Sequence, residues 1–191
     1  MYARLKRYGD ALAAACLLIV FSWAFLLIGL AFLLCGEHPI FFRQARIGLD
    51  GIPFVMIKFR TLLTNENLPL EQRTFKLGNF LRRSGLDELP QLCNVLTGKM
   101  SLVGPRPLPV EYASLFTPQE WRRHKVRPGI TGWAQVHGRH QIPWRQKLLF
   151  DCWYVDHQSF AVDLKILFKT LLLVLSFPPD RSLKEEKFKG T

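Results

Sequence analysis

The chain has 191 residues, a formal net charge of +11 and 49% hydrophobic residues, a length that suits one domain with its own core. Cys16, Cys35, Cys93 and Cys152 have no CxxC spacing, so neither a zinc site nor a disulfide framework is indicated, and free thiols fit a reducing, cytoplasmic face. No basic recognition helix or other nucleic-acid module signature is visible, and no nucleic-acid partner is expected.

Residues 11–35 contain no charged side chain. As one straight helix at about 1.5 Å per residue this run would reach roughly 37 Å, enough for a hydrocarbon core of about 30 Å. It is much longer than the apolar part of a signal peptide, and Ala13-Ala14-Ala15-Cys16 comes too early in it for cleavage. The flanks decide its topology. Arg4, Lys6 and Arg7 precede the run and Arg43, Arg46, Lys58 and Arg60 follow it, and Lys/Arg excess marks the cytoplasmic side. Both ends therefore ask to be inside, which predicts a re-entrant helix over residues 1–36 with a break near Ser22 and both termini cytoplasmic. A Ser hydroxyl competes for backbone carbonyls and favours a kink at Ser22-Trp23.

Residues 37–177 read as a cytoplasmic catalytic domain and residues 178–191 as a tail. Pro39, Gly48 and Asp50-Gly51 mark turns, with Phe41-Phe42 between them as an interfacial anchor or a short strand. Residues 54–61 read as a strand ending on Lys58 and Arg60, and residues 64–71 as a polar loop. Leu86, Leu89, Leu92 and Val95/Leu96 fall at helical spacing, so a helix is predicted to begin near Ser84 or Asp87, with Pro90 in its first turns. That places Asp87 and Glu88 at a helix N-terminus. Residues 99–109 and 127–139 are rich in Gly, Pro and cations and read as rigid loops presenting N–H groups and guanidinium forks to an anion. Residues 144–154 and 160–177 read as amphipathic helices lying in a membrane interface against phospholipid. The fold class is α+β, mainly helical, with short strands.

Lipid headgroups account for part of the charge near the anchor. They do not account for Lys58, Arg60, Arg82, Arg83, Arg106, Arg127 and Arg139, which recur at loop and element ends. Phosphate does, since Arg forks grip phosphate oxygens bidentately. Two adjacent carboxylates about 4 Å apart repel by roughly 4 kcal/mol at an effective dielectric near 20. A helix N-terminus, nearby Arg and a bound Mg²⁺ would offset that. A carboxylate held ionised in this way can ligate Mg²⁺, attack phosphorus or take a proton. Alone, an Asp-Glu pair indicates no more than a helix start.

The ordered motifs Arg43-Gln44-Ala45-Arg46-Ile47-Gly48, Lys58-Phe59-Arg60-Thr61, Leu86-Asp87-Glu88-Leu89-Pro90-Gln91-Leu92, Met100-Ser101-Leu102-Val103-Gly104-Pro105-Arg106-Pro107 and Arg127-Pro128-Gly129-Ile130-Thr131-Gly132-Trp133-Ala134-Gln135-Val136 carry a resemblance. The chain resembles the bacterial sugar transferases called monotopic phosphoglycosyl transferases, in their small PglC type. The resemblance implies transfer of a sugar-1-phosphate from a UDP-sugar to undecaprenyl phosphate at the cytoplasmic face of the bacterial inner membrane, with Mg²⁺ and release of UMP. It implies a ping-pong route in which Asp87 is the nucleophile, carries a covalent phosphosugar and contacts Mg²⁺. Glu88 is its partner as base, orienter or second ligand. Lys58, Arg60, Arg83 and Arg106 are candidates for phosphate oxygens, and Arg127 and Gln135 for nucleotide or phosphate. A diacetylbacillosamine-like donor is favoured, with UDP-galactose or UDP-glucose as alternatives. A non-catalytic membrane adaptor is the competing class, disfavoured by the intact Asp87, Glu88 and Arg loops. Two positions depart from the family: Trp23 follows Ser22 where Pro is usual, and His137 stands where Asn is common. His137 and His140 read as ordinary loop histidines.

Overall fold

Helix α1 (Tyr2–Val20) and helix α2 (Ser22–Cys35) meet at Phe21 with a bend of 56° in the computed structural model, which describes residues 2–36, 38–65, 67–138, 141–177 and 188–190. The Ser22 hydroxyl donates to the Ile19 carbonyl at 2.8 Å, an oxygen that an unbroken helix would pair with the Trp23 N–H. The break thus forms beside Ser22 without a proline. Among the described residues no single helix is long and apolar enough to cross a membrane, and only α1 and α2 together pass that test.

Helix α1 belongs to the same core as the later elements. Ala14 is fully buried against Phe54, Met56, Leu92, Val95 and Met100. Arg7 donates to the Val95 and Leu96 carbonyls at 3.1 and 2.9 Å, satisfying orphan acceptors at a helix end. Lys6 donates to Asp163 at 2.5 Å and lies 3.5 Å from Asp10, which in turn accepts from Ser101 at 2.5 Å. Cations that the sequence offers as topology signals therefore also peg α1 to the rest of the protein.

Strands β1 (Phe41–Ile47) and β2 (Pro53–Phe59) form an antiparallel hairpin, Phe41 opposite Phe59 and Ile47 opposite Pro53. Phe54, Met56 and Phe59 of β2 are buried. The strand ends two residues earlier than expected, so Lys58 lies inside it and Arg60 beyond it. Helix α3 (Lys76–Ser84) was not anticipated from the leucine spacing. It stops at Gly85, whose φ of +73° is a left-handed conformation natural to glycine. A 3-10 turn at Leu86–Glu88 follows, and α4 (Gln91–Leu96) starts after Pro90. The predicted helix is thus a 3-10 turn plus a short α-helix, because Gly85 ends one helix and Pro90 begins the next. Leu92 and Val95 still point into the core.

The two Gly/Pro loops are paired with each other. Strands β3 (Ser101–Val103) and β4 (Gly129–Thr131) are parallel, and the N–H groups of Gly104 and Gly129 donate to the Thr131 and Pro105 carbonyls, each at 2.9 Å. A Cβ on Gly104 would stand 2.3 Å from the Arg127 carbonyl oxygen, and one on Gly132 2.1 Å from the Gly104 carbonyl oxygen. The two backbones touch where side chains would hold them apart. This corrects the anion-loop expectation for these two amides, which are consumed in the pairing.

Helix α5 (Trp133–Val136) leads to α6 (Trp144–His157) and α7 (Phe160–Leu175). α6 buries Lys147, Leu148, Asp151 and Tyr154 and exposes Leu149. α7 buries Asp163 and Ile166 while Phe160, Leu164, Phe168, Leu171 and Leu175 are exposed, which is the one-sided pattern of an interfacial helix. The Ser159 side chain caps it by accepting from the Val162 N–H. Arg139, His140 and tail residues 178–187 lie outside the described residues.

His124 sits in an aromatic nest, its ring centroid 4.7 Å from Trp121 and 5.3 Å from Phe116. Burial first, and then Arg123, push its pKa down to about 3. Between that value and the unfolded value of about 6.5, the unfolded chain takes up a proton that the folded chain refuses. Stability is therefore full above pH 6.5 and falls as pH drops. From pH 7 to pH 5 the expected loss is about 2 kcal/mol, read as a lower melting temperature, and His124→Gln should flatten that dependence.

Candidate active site

The 3-10 turn, the end of α3, β2 and the loop after β3 converge on a cavity of about 700 Å³ lined by Lys58, Arg82, Asp87, Glu88 and Arg106. Each is placed by local structure. Gly85 turns the chain so that Asp87 enters the cavity wall, 5% exposed. Burial first, and then Glu88, push the Asp87 carboxyl up to about 7, while Lys58, Arg106 and Arg82 pull it back. The three cations do not fully offset desolvation, so the helix-start argument for an ionised Asp87 is too simple. Asp87 precedes α4 by a whole turn and receives little of its dipole.

Arg106 and Glu88 form an ion pair at 3.1 Å. Burial pushes Lys58 down and Asp87 and Glu88 oppose it. Arg46 also lines the cavity and is pushed down to about 10, first by burial and then by Arg106. It donates to the Pro107 carbonyl at 3.1 Å and to Gln44 Oε1 at 2.6 Å. Deeper in the protein, Arg123 donates to Asp151 Oδ2 through Nε at 3.0 Å and Nη2 at 2.7 Å, and through Nη2 to the Arg106 carbonyl at 2.6 Å. That buried pair fixes the backbone carrying Arg106.

Of the residues expected at the site, the fold brings together Lys58, Asp87, Glu88, Arg106 and Gln135. Arg60, Arg83 and Arg127 are not among the lining residues. Arg60 Nε donates to the Pro39 carbonyl and Arg127 Nε to the Gly98 carbonyl, each at 2.9 Å. Arg83 is exposed, with its guanidinium 4.5 Å from the Phe177 ring centroid. Its neighbour Arg82 lines the cavity instead, since successive helical residues point about 100° apart. Arg46, Arg123, Lys147 and Asp151 also line it. Arg46 lies in one of the motifs above and Arg123 in the basic run Arg122-Arg123-His124-Lys125. Lys147 and Asp151 were discoverable only through their i, i+4 placement on the inward face of α6.

Much of the remaining wall is apolar. Leu17 and Phe21 come from the α1–α2 break, and Leu167, Leu173 and Val174 from α7. Among the described residues no three His, Cys, Asp or Glu side chains group as a metal cage. Asp87 beside Glu88 suits the other mode, in which Mg²⁺ takes one or two carboxylates and completes its shell with substrate phosphate. His137 has both ring nitrogens engaged, by the Trp133 carbonyl at 2.8 Å and Lys169 at 2.7 Å.

A family model described as bacterial sugar transferase matches residues 1–177. The uncharacterized sugar transferase EpsL of Bacillus subtilis is 49% identical over 90% of this chain and 87% of its own length. The UDP-glucose:undecaprenyl-phosphate glucose-1-phosphate transferase of Escherichia coli is 42% identical over 87% of this chain, which spans 39% of that protein. The UDP-galactose-lipid carrier transferase of Erwinia amylovora is 33% identical over 90% of this chain and 40% of its own length. With a match that runs from the first helix through α7, the chain belongs to the bacterial sugar transferase family.

Proposed function

We propose that the protein transfers a sugar-1-phosphate from a UDP-sugar to undecaprenyl phosphate and releases UMP. The observation that carries the reading is a buried carboxylate, Asp87, beside Glu88 on the wall of a cavity whose cations acting on it are Lys58, Arg106 and Arg82. In the first step an Asp87 oxygen bonds to the sugar-bearing phosphorus, and the bond from that phosphorus to the bridging oxygen breaks, so UMP leaves. In the second, an oxygen of undecaprenyl phosphate attacks the same phosphorus and Asp87 departs as carboxylate. Two phosphate anions never meet directly, since the carboxylate meets each in turn. Lys58, Arg82 and Arg106 stabilise charge on the phosphate oxygens. Glu88, paired with Arg106, orients that guanidinium. Asp87 would hold Mg²⁺, which supplies charge neutralisation on the diphosphate when bound.

The apolar wall at Phe21 and α7 suits the lipid end of the acceptor. The bent helix pair enters the membrane and returns, both termini remain on the cytoplasmic face of the inner membrane, and α7 lies among phospholipid headgroups. A tag at the N-terminus should be labelled only from the cytoplasmic side, and labelling from outside would reject re-entry. For the donor, the names of the relatives speak for UDP-glucose or UDP-galactose beside the diacetylbacillosamine-like sugar.

The test is purified protein with undecaprenyl phosphate and a panel of these UDP-sugars, with Mg²⁺ present or chelated, followed by UMP release. Acceptor-dependent release that stops on chelation is the expected result, and no release with any donor would overturn the reading. Lys58→Met or Arg106→Gln should lower turnover by about 100-fold or more. Arg83→Ala, outside the cavity, should leave it within about threefold, because it points about 100° round α3 from Arg82, towards Phe177.

A further inference from the structure

The cationic set explains how phosphates are held but leaves three buried polar atoms on the cavity wall unaccounted for. Gln135 Nε2 and Oε1 and Asp151 Oδ1 have no hydrogen-bond partner among the described residues, and both side chains line the cavity. Gln135 is on α5 and Asp151 on α6, helices that pack against each other. Leaving such groups unpaired costs about 1–3 kcal/mol each, so a protein that buries three of them on one cavity has a polar ligand to satisfy them.

The chemistry of the three atoms narrows the ligand. A carboxylate oxygen repels phosphate, so Asp151 Oδ1 accepts from an O–H or N–H group. Its orientation is fixed, because Arg123 takes Oδ2 twice. Gln135 offers a donor and an acceptor side by side, the complement of a cyclic imide edge, which carries an N–H beside a C=O. Gly132 leaves the Gln135 amide its space, since a Cβ there would stand 2.6 Å from Oε1. Trp144, Tyr112 and Gln141 complete this stretch of wall, and the Trp144 and Tyr112 rings meet edge to face at 5.9 Å. An aromatic wall, an amide and a hydroxyl acceptor together describe a pyrimidine nucleoside.

We infer that Gln135 and Asp151 form the nucleoside subsite, Gln135 reading the uracil imide edge and Asp151 Oδ1 a ribose hydroxyl. This rests on the UDP-sugar reading above and assigns the uncharged end of that donor. The site selects the nucleotide, leaving sugar selection to other residues.

The test is equilibrium binding of UMP and of phosphate-free uridine to the full chain in detergent or nanodiscs, followed by calorimetry. Gln135→Leu should weaken both ligands by at least about tenfold, for two lost hydrogen bonds, and Asp151→Asn by about fivefold, for one. Binding of glucose 1-phosphate should stay unchanged. Asp151→Asn keeps a carbonyl oxygen for Arg123, so it remains informative if Gln135→Leu melts early. Unchanged UMP and uridine affinity in both variants would overturn the subsite, and weakened glucose 1-phosphate with unchanged uridine would hand these residues to the sugar. Binding needs no turnover. If the wild type binds UMP through Gln135 yet releases none from any UDP-sugar, the proposed function falls and the subsite stands.

Discussion

Asp87→Asn is expected to lower UMP release by roughly 10⁴-fold or more, the scale seen when an enzyme loses its nucleophile. The side chain keeps its volume, so the cavity and the α3-to-α4 turn are preserved and the effect reports chemistry. The same substitution should leave the melting temperature unchanged or raise it. Asp87 is 5% exposed and its carboxyl is pushed up to about 7, so folding buries a charge that its neighbours do not fully repay, and an amide removes that burden. Lost activity with retained or higher stability is the signature of a functional rather than a structural carboxylate. Intact mass after incubation with UDP-sugar alone checks the covalent step: wild-type protein should gain one phosphosugar and Asp87→Asn none. A mass gain that survives in the variant would move the nucleophile elsewhere.

Asp163→Ala should cost about 3–5 kcal/mol of stability, the range for removing one partner of a buried ion pair. Asp163 Oδ2 accepts from Tyr2 at 2.6 Å and Lys6 at 2.5 Å, while Tyr154 lies 2.6 Å from Oδ1. Removing it leaves the Lys6 ammonium only its longer contact with Asp10, and takes a charged acceptor from the Tyr2 and Tyr154 hydroxyls at the junction of α1, α6 and α7. Thermal unfolding in detergent measures the loss. Arg122→Ala provides the contrast, since its pair with Asp156 is half-exposed and such surface pairs contribute about 0–1 kcal/mol. Equal effects of the two would reject the network as a fastening.

The sequence revealed elements whose signal is local. The charge-free run and Ser22 predicted the break, and β2, α6 and α7 appear within a few residues of their expected spans. Leucine spacing failed over residues 84–96 because periodicity cannot register that Gly85 adopts a left-handed turn before Pro90. The Gly/Pro loops looked like separate anion cradles because the parallel pairing of β3 with β4 joins residues about 28 apart. At the site, acidic and basic motifs were legible as chemistry, but direction was not. Nothing in one dimension says that Arg82 faces the cavity and Arg83 the exterior, or that Arg60 and Arg127 spend their Nε donors on backbone carbonyls. Asp151 was hard to single out for the same reason, one of two acids in α6 that shows its role only when Arg123 is packed against it.

The pegs on α1 set an order for biosynthesis. Lys6 finds Asp163 only 157 residues later and Asp10 finds Ser101 91 residues later. Helix α1 therefore completes its polar contacts only after α7, far downstream of it, has been made. Long-range closures of this kind are slow relative to local helix formation. The cavity, walled by both the α1–α2 break and α7, comes into being only at that docking, so a growing chain has no closed site until α7 is in place.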